Sequence, residues 1–195
     1  MRRRERVWDV LGRRQPDLTV LAENVHKPHN LSAMLRSCDA VGIGTVHAVW
    51  PTGGVPTFNA TSASAEKWVD LVVHGDTPGA IAHLRSAGMR VYAAHLSDTA
   101  TDFRDVDYAV PCAVVFGNEK EGVSDEAASL ADQHVIIPML GMIQSLNVSV
   151  ATAVILFEAQ RQRRTSGLYD EPRVTPAELE SRAAEWLRTK AERRG

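Results

Sequence analysis

Six short and nearly uninterrupted apolar runs, separated by stretches of helical periodicity, constrain this chain's fold more than any other feature. They are Leu18 to Leu21, Thr45 to Val49, Val69 to His74, Met89 to Ala94, Cys112 to Phe116 and His134 to Ile137. A strand covered on both faces has no use for in-out alternation, and such strands belong to parallel sheets whose crossovers lay helices over them. The stretches between them, Leu31 to Val41, Pro78 to Ala87, Ser124 to Leu130 and Val148 to Arg163, repeat apolar residues at helical spacing. The expected class is therefore α/β, a mostly parallel sheet covered by helices. With 195 residues and 44% hydrophobic content, the chain can bury one full core.

The two ends read differently. Arg3 to Arg13 has a helical pattern with Val7, Trp8 and Leu11 on one apolar face. Near the other end, Thr175, Pro176 and Glu178 supply a cap, a first-turn proline and a capping box for a helix running through Trp186 and Leu187 into the charged Lys190 to Arg194. The expected organisation is an N-terminal basic helix (1–15), a central domain (16–163) and a C-terminal turn and helix (164–195).

Charge follows the same division. Residues 1–14 carry +4, 15–157 carry −8 and 158–195 carry +2, although the whole is only −2. Electrostatic footprints are local patches, so basic ends reopen a nucleic-acid partner that the net charge would exclude. The plain alternative is that they are solvated helix faces. The longest nearly apolar run, Val148 to Phe157, is about half of a bilayer span. Cys38 and Cys112 lie far apart without ligand spacing, and no secretory leader opens the chain, so we expect a soluble, cytoplasmic protein without disulfides or metal.

Three stretches carry polar residues that a core does not need. The first runs from Asn30 to Arg36. Asn30 directly precedes an apolar-periodic run, so its ordinary work would be helix capping. Arg36 is the only cation among Leu31, Met34, Leu35, Cys38 and Val41, and must reach a carboxylate, a phosphate or water. An ion pair with Asp39 is its structural option. His26, Lys27 and His29 add donors just upstream. The second stretch, Gly117 to Ser124, places Asn118, Glu119, Lys120 and Glu121 between two glycines at a strand end, ahead of a helix that Ser124 would cap. It is neither a phosphate loop nor GxGxxG. The third, Ile137 to Asn147, is a loop by its Pro138 and Gly141 yet carries Met139, Leu140, Met142, Ile143 and Leu146. Loops normally run over the surface and are polar, so an apolar one should be buried, meet a partner, or line a pocket. Asn147 would then cap a helix apolar nearly all round, as at a dimer interface.

These three stretches, with Gln15 to Val20, Val25 to Asn30, Gln144 to Ala151 and Glu158 to Arg163, resemble the bacterial TrmH group of the SPOUT superfamily (SpoU branch), the tRNA guanosine-18 ribose 2'-O-methyltransferases. The resemblance spans nearly the whole chain. It implies a homodimer through the knot region, a deep trefoil knot at about 112–160 and S-adenosylmethionine held among knotted loops. It also implies residue roles. Asn30, Arg36, Glu119, Ser145 and Asn147 match the catalytic positions. Ala94, His95, Leu96, Gly117, Ile137, Gly141 and Leu146 would contact the cofactor. Arg3, Arg6, Arg13, Lys27, Arg161, Arg163 and Arg164 would contact tRNA, with Arg2, Arg4 and Arg14 beside them. Asn118 departs from close relatives, which often carry Ala or Gln there, and puts the choice of substrate in doubt without touching the fold.

The implied reaction moves a sulfonium methyl group to a ribose hydroxyl, which needs alignment and a proton acceptor. The family is usually described with the arginine activating the hydroxyl. Bringing an arginine pKa from about 12.5 to near 7 would take roughly 7 kcal/mol, so a cationic Arg36 gripping phosphate and stabilising the developing alkoxide is the better expectation. A phosphate oxygen or Glu119 would take the proton. The competing readings are the same chemistry on ribosomal RNA or another tRNA position, a non-catalytic RNA-binding or folding protein on this scaffold, and a small-molecule methyltransferase or plain interaction domain.

Overall fold

The structure, a computed structural model, describes residues 3–50 and 67–188. Arg2 and residues 190–194 lie outside them. In chain order the elements are α1 (Arg3–Gly12), β1 (Leu18–Glu23), α2 (Pro28–Ala40), β2 (Thr45–Val49), β3 (Asp70–His74), α3 (Thr77–Ser86), β4 (Arg90–Ala94), β5 (Thr101–Asp102), β6 (Cys112–Phe116), α4 (Asp125–Leu130), β7 (Gln133–Ile136), α5 (Val148–Thr165) and α6 (Pro176–Leu187). The strands form one sheet in the order β3-β2-β1-β6-β4-β7-β5, and every pairing in it is parallel. β6 inserts between β1 and β4, pairing Leu18 with Cys112 and Ala22 with Phe116 on one side and Arg90 with Cys112 on the other.

The apolar runs are continuous because both faces are covered. All residues of β1 and β6 are buried, and successive side chains go to opposite layers. Val20, Ala22, Val114 and Phe116 pack under α2 and α5 with Met34, Leu35, Ile155 and Leu156. Leu21, Ala113 and Val115 pack under α3 and α4 with Ile81, Leu84 and Ala127. A third cluster joins the ends: Val7 and Leu11 of α1 meet Ala183 and Trp186 of α6. Trp8, expected on that apolar face, is instead exposed, since α6 covers only the Val7 and Leu11 side.

Two positively charged residues of the ends are structural. Arg14 is buried, bonding the carbonyls of Ile43 and Trp68 and the Asp39 carboxylate at 2.7–2.8 Å, with its guanidinium 5.2 Å from the Trp186 ring. Arg163 is wholly buried and makes five hydrogen bonds, to the carbonyls of Tyr108, Asp17 and Val110, to Gln15 Oε1, and to Asp17 Oδ1 at 2.7 Å. Neither can meet a phosphate without unfolding its surroundings. This corrects the tRNA-contact role expected of Arg163, and of Arg14 beside it: a charge count along a sequence cannot see burial.

Candidate active site

Ligands of open parallel sheets sit beyond the carboxyl ends of the strands. Here those ends open onto a cleft of about 930 Å³, built from the segments that follow β4, β6 and β7. All seven residues expected to touch a cofactor line it: Ala94, His95 and Leu96, Gly117, and Ile137, Gly141 and Leu146. So do Lys27, Glu119, Ser145 and Asn147. Gly117 has no alternative, because a Cβ there would lie 1.8 Å from the Gly122 carbonyl oxygen. Asn118 closes the turn between them, its Oδ1 accepting from the amides of Lys120 and Glu121 at 2.9 and 2.8 Å. Asn118 thus shapes backbone in the loop.

One side chain from each polar stretch meets the others. Asn30 Nδ2 donates to Glu119 Oε1 at 2.7 Å, and Asn147 Nδ2 donates to Asn30 Oδ1 at 3.2 Å. The Lys27 amide reaches the same Glu119 oxygen at 3.2 Å. Asn147 also caps α5 as expected, accepting from Ser149 N and Oγ at 2.9 and 2.6 Å. Partial burial pushes the Glu119 carboxyl up, but the donors from Asn30 and from the 26–27 backbone outweigh it and hold it below the usual carboxylate range. Glu119 is therefore held as a carboxylate by these donors. It anchors α2, whose N-cap residue Lys27 offers no side-chain cap.

Two expectations for α2 fail. Asn30 does not cap it, since the helix starts at Pro28, a residue suited to a first helical position, and places Asn30 buried inside the first turn. Arg36 does not pair with Asp39, which Arg14 has taken at 2.8 Å. Arg36 is exposed, makes no ion pair among the described residues, and does not line the cleft of its own chain. Six positions beyond Asn30, it stands about 9 Å further along the helix and roughly 120° around it.

The apolar loop is not buried. Leu140 and Met142 are fully exposed, Ile143 is 62% exposed, and Leu96, Val150 and Phe157 are further exposed apolar residues. Monomeric proteins rarely leave so much apolar surface in one region. Of the arginines expected to meet tRNA, Arg3, Arg6, Arg13, Arg161 and Arg164 are exposed. Arg6 and Arg13 pair with Asp9, and Arg161 with Glu158, in surface contacts too weak to withhold them from a phosphate. Lys27 is exposed beside the cleft, with His26 and His29. No helix of the described residues is long and apolar enough to cross a membrane.

A covered parallel sheet that holds its ligand cleft on strand-end loops, with amide and carboxylate side chains converging at the rim, defines the class: an α/β protein of the SpoU type. The chain belongs to the SpoU rRNA methylase family, whose model matches residues 17–157. It is 63% identical over 186 residues, 95% of this chain and 96% of the other, to a tRNA (guanosine(18)-2'-O)-methyltransferase of Thermus thermophilus. It is 54% identical to the protein of that name from Escherichia coli, over 84% of this chain and 72% of that one. Among solved structures, the A. aeolicus TrmH/SpoU tRNA modifying enzyme superposes with a TM-score of 0.88 at 40% identity, over 94% of each chain. An AdoMet-bound rRNA methyltransferase from Sinorhizobium meliloti superposes with a TM-score of 0.66 at 29% identity, over 79% of this chain and 59% of that one.

Proposed function

We propose that this protein transfers a methyl group from S-adenosylmethionine to the ribose 2'-hydroxyl of guanosine 18 in tRNA. The observation that carries the proposal is the likeness to tRNA (guanosine(18)-2'-O)-methyltransferases, in the Thermus thermophilus case over nearly the full length of both chains. The cleft fits the donor. Its volume of about 930 Å³ suits an adenosyl-sized ligand, with apolar walls from Ile137 and Leu146 and strand-end backbone at Gly117 and Ala94 for the base and ribose. When bound, S-adenosylmethionine supplies an electrophilic methyl group on a positively charged sulfur.

The chain's own residues align and neutralise. Asn30, Glu119 and Asn147 lock the first turn of α2 to the two cleft loops, which fixes where a ribose can enter. Ser145, which is exposed and lines the cleft, would bond that ribose. Arg36 acts as a cation, holding the adjoining phosphate and stabilising the oxygen as its proton leaves. The proton leaves through Glu119 or a phosphate oxygen of the substrate and passes on to water. Arg36 does not line the cleft of its own chain, so a second copy supplies it. The exposed apolar surface around Leu140, Met142 and Phe157 supports such a homodimer through the region proposed to be knotted, about 112–160. Arg3, Arg6, Arg13, Lys27, Arg161 and Arg164 grip tRNA from the arms, α1 and the end of α5, around a catalytic unit at 16–163. A cytoplasmic location goes with that substrate.

The test is label transfer from S-adenosylmethionine into tRNA transcripts with guanosine or another nucleoside at position 18. Incorporation that vanishes with the guanosine supports the proposal. Incorporation that persists moves the target, and label in ribosomal RNA alone replaces the substrate.

A further inference from the structure

Beneath the cleft lies a carboxylate that no spacing or motif flags. Glu23 ends β1, is 2% exposed, and makes no ion pair among the described residues. Three donors hold it instead. Oε1 accepts from Thr77 Oγ1 at 2.7 Å and from Ser124 Oγ at 2.6 Å, and Oε2 accepts from the Ser124 amide at 2.9 Å. Thr77 opens α3 and Ser124 caps α4, accepting from Ala127 N at 3.1 Å. A carboxyl group is tolerated at such burial when bonds of this kind satisfy it.

The placement gives Glu23 a use. Ala22 pairs with Phe116, so Glu23 stands level with Gly117, where the cleft loop leaves the sheet. That loop returns at Gly122, tight against Gly117, and Val123 and Ser124 follow at once. Glu23 therefore grips the returning end of the loop, while Glu119 at its middle is tied to α2 through Asn30 and Lys27. We infer that Glu23 is a positioning residue for methyl transfer: its carboxylate, through Ser124, sets the Gly117–Gly122 loop that lines the cofactor cleft and carries Glu119. This rests on the function proposed above. Ordering the loop in advance spares the donor that cost on binding.

Thr77 supplies the control. It bonds the same carboxylate, but α3 does not line the cleft. In the full-length protein, Glu23→Gln and Ser124→Ala should each raise the KM and calorimetric Kd for S-adenosylmethionine about tenfold, equivalent to about 1.4 kcal/mol, with the KM for tRNA unmoved. Thr77→Val should leave the donor constants within about twofold while lowering Tm like the others. Equal effects of all three on every constant would reduce Glu23 to a generic stabiliser and overturn the inference. Unchanged donor affinity in a folded Ser124→Ala would also overturn it, even if Glu23→Gln fails to fold. Donor Kd is read without tRNA, so the wild type binding donor but methylating no RNA would sink the proposed function separately.

Discussion

Replacing Arg163 with methionine separates a structural arginine from an RNA-binding one. The substitution keeps the aliphatic stem and deletes a guanidinium that makes five hydrogen bonds in a site with no solvent exposure. Three backbone carbonyls and Gln15 Oε1 lose a donor. Asp17 keeps only Arg173, at 2.5 Å. Its carboxyl is pushed up by burial but held below the usual range by Arg163 and Arg173, so part of that lowering disappears with Arg163. Breaking one side of a buried ion pair costs about 3–5 kcal/mol. At about 2–4 °C per kcal/mol for a chain of this size, the melting temperature should fall by about 6–20 °C. The assay is thermal unfolding of Arg163→Met beside Arg164→Met, followed by tRNA titration at several salt concentrations on whatever remains folded. Arg164 is exposed one position further on, so its variant should melt like wild type and bind tRNA more weakly. An Arg163→Met protein with wild-type melting and weakened tRNA binding would refute the reasoning and restore the role that its place in a basic run suggests.

Other outcomes follow from the same geometry. Arg36→Lys should retain measurable methyl transfer through its charge, whereas Arg36→Ala should lose nearly all; equal loss in single-turnover assays would require the planar guanidinium. Replacing Arg6, Arg13 and Arg164 together should lower the slope of log affinity for tRNA against log salt by roughly 0.7–0.9 per lost phosphate contact while donor binding stays constant. His47 packs among His74 and His83, with ring centroids 5.2 and 5.4 Å away and Nδ1 2.9 Å from His74 Nε2. Burial first, then the two like charges, lowers its pKa from 6.5 to about 4. A base that is neutral in the fold stabilises fully above its unfolded pKa, and that stability drains as pH falls from 6.5 towards 4. Denaturant unfolding should therefore show a loss of about 1 kcal/mol between pH 7 and pH 5 after allowing for solvent access, and His47→Asn should flatten it.

The sheet was legible because the physics of a doubly covered strand writes itself as uninterrupted apolar residues. Cys112 to Phe116 matches β6 residue for residue, and all six runs appear within a residue or two. β5, only Thr101 and Asp102, is too short to carry any period. Three helix caps were legible, since Ser124, Asn147 and the Thr175–Glu178 box form as read, whereas the Asp76 side chain that caps α3 was not singled out. Asn30 was misread because Pro28 starts α2 a turn earlier, freeing the amide for Glu119. The cleft's membership came through family resemblance, whereas the Asn30–Glu119–Asn147 bonds and the low Glu119 pKa needed coordinates, since they join residues 89 and 117 positions apart. Burial was the least legible quantity. It made Arg14 and Arg163 structural, hid Glu23 at the end of an apolar run, and left Leu140 and Met142 of the apolar loop facing outward.

The most direct measurement is methyl transfer to two tRNA molecules that differ by one oxygen, one carrying guanosine and the other 2'-deoxyguanosine at position 18. A ribose 2'-O-methyltransferase should bind both and label only the first, with the methyl group recovered on its 2'-oxygen. Equal labelling of the deoxy substrate would contradict transfer to the ribose of that nucleoside.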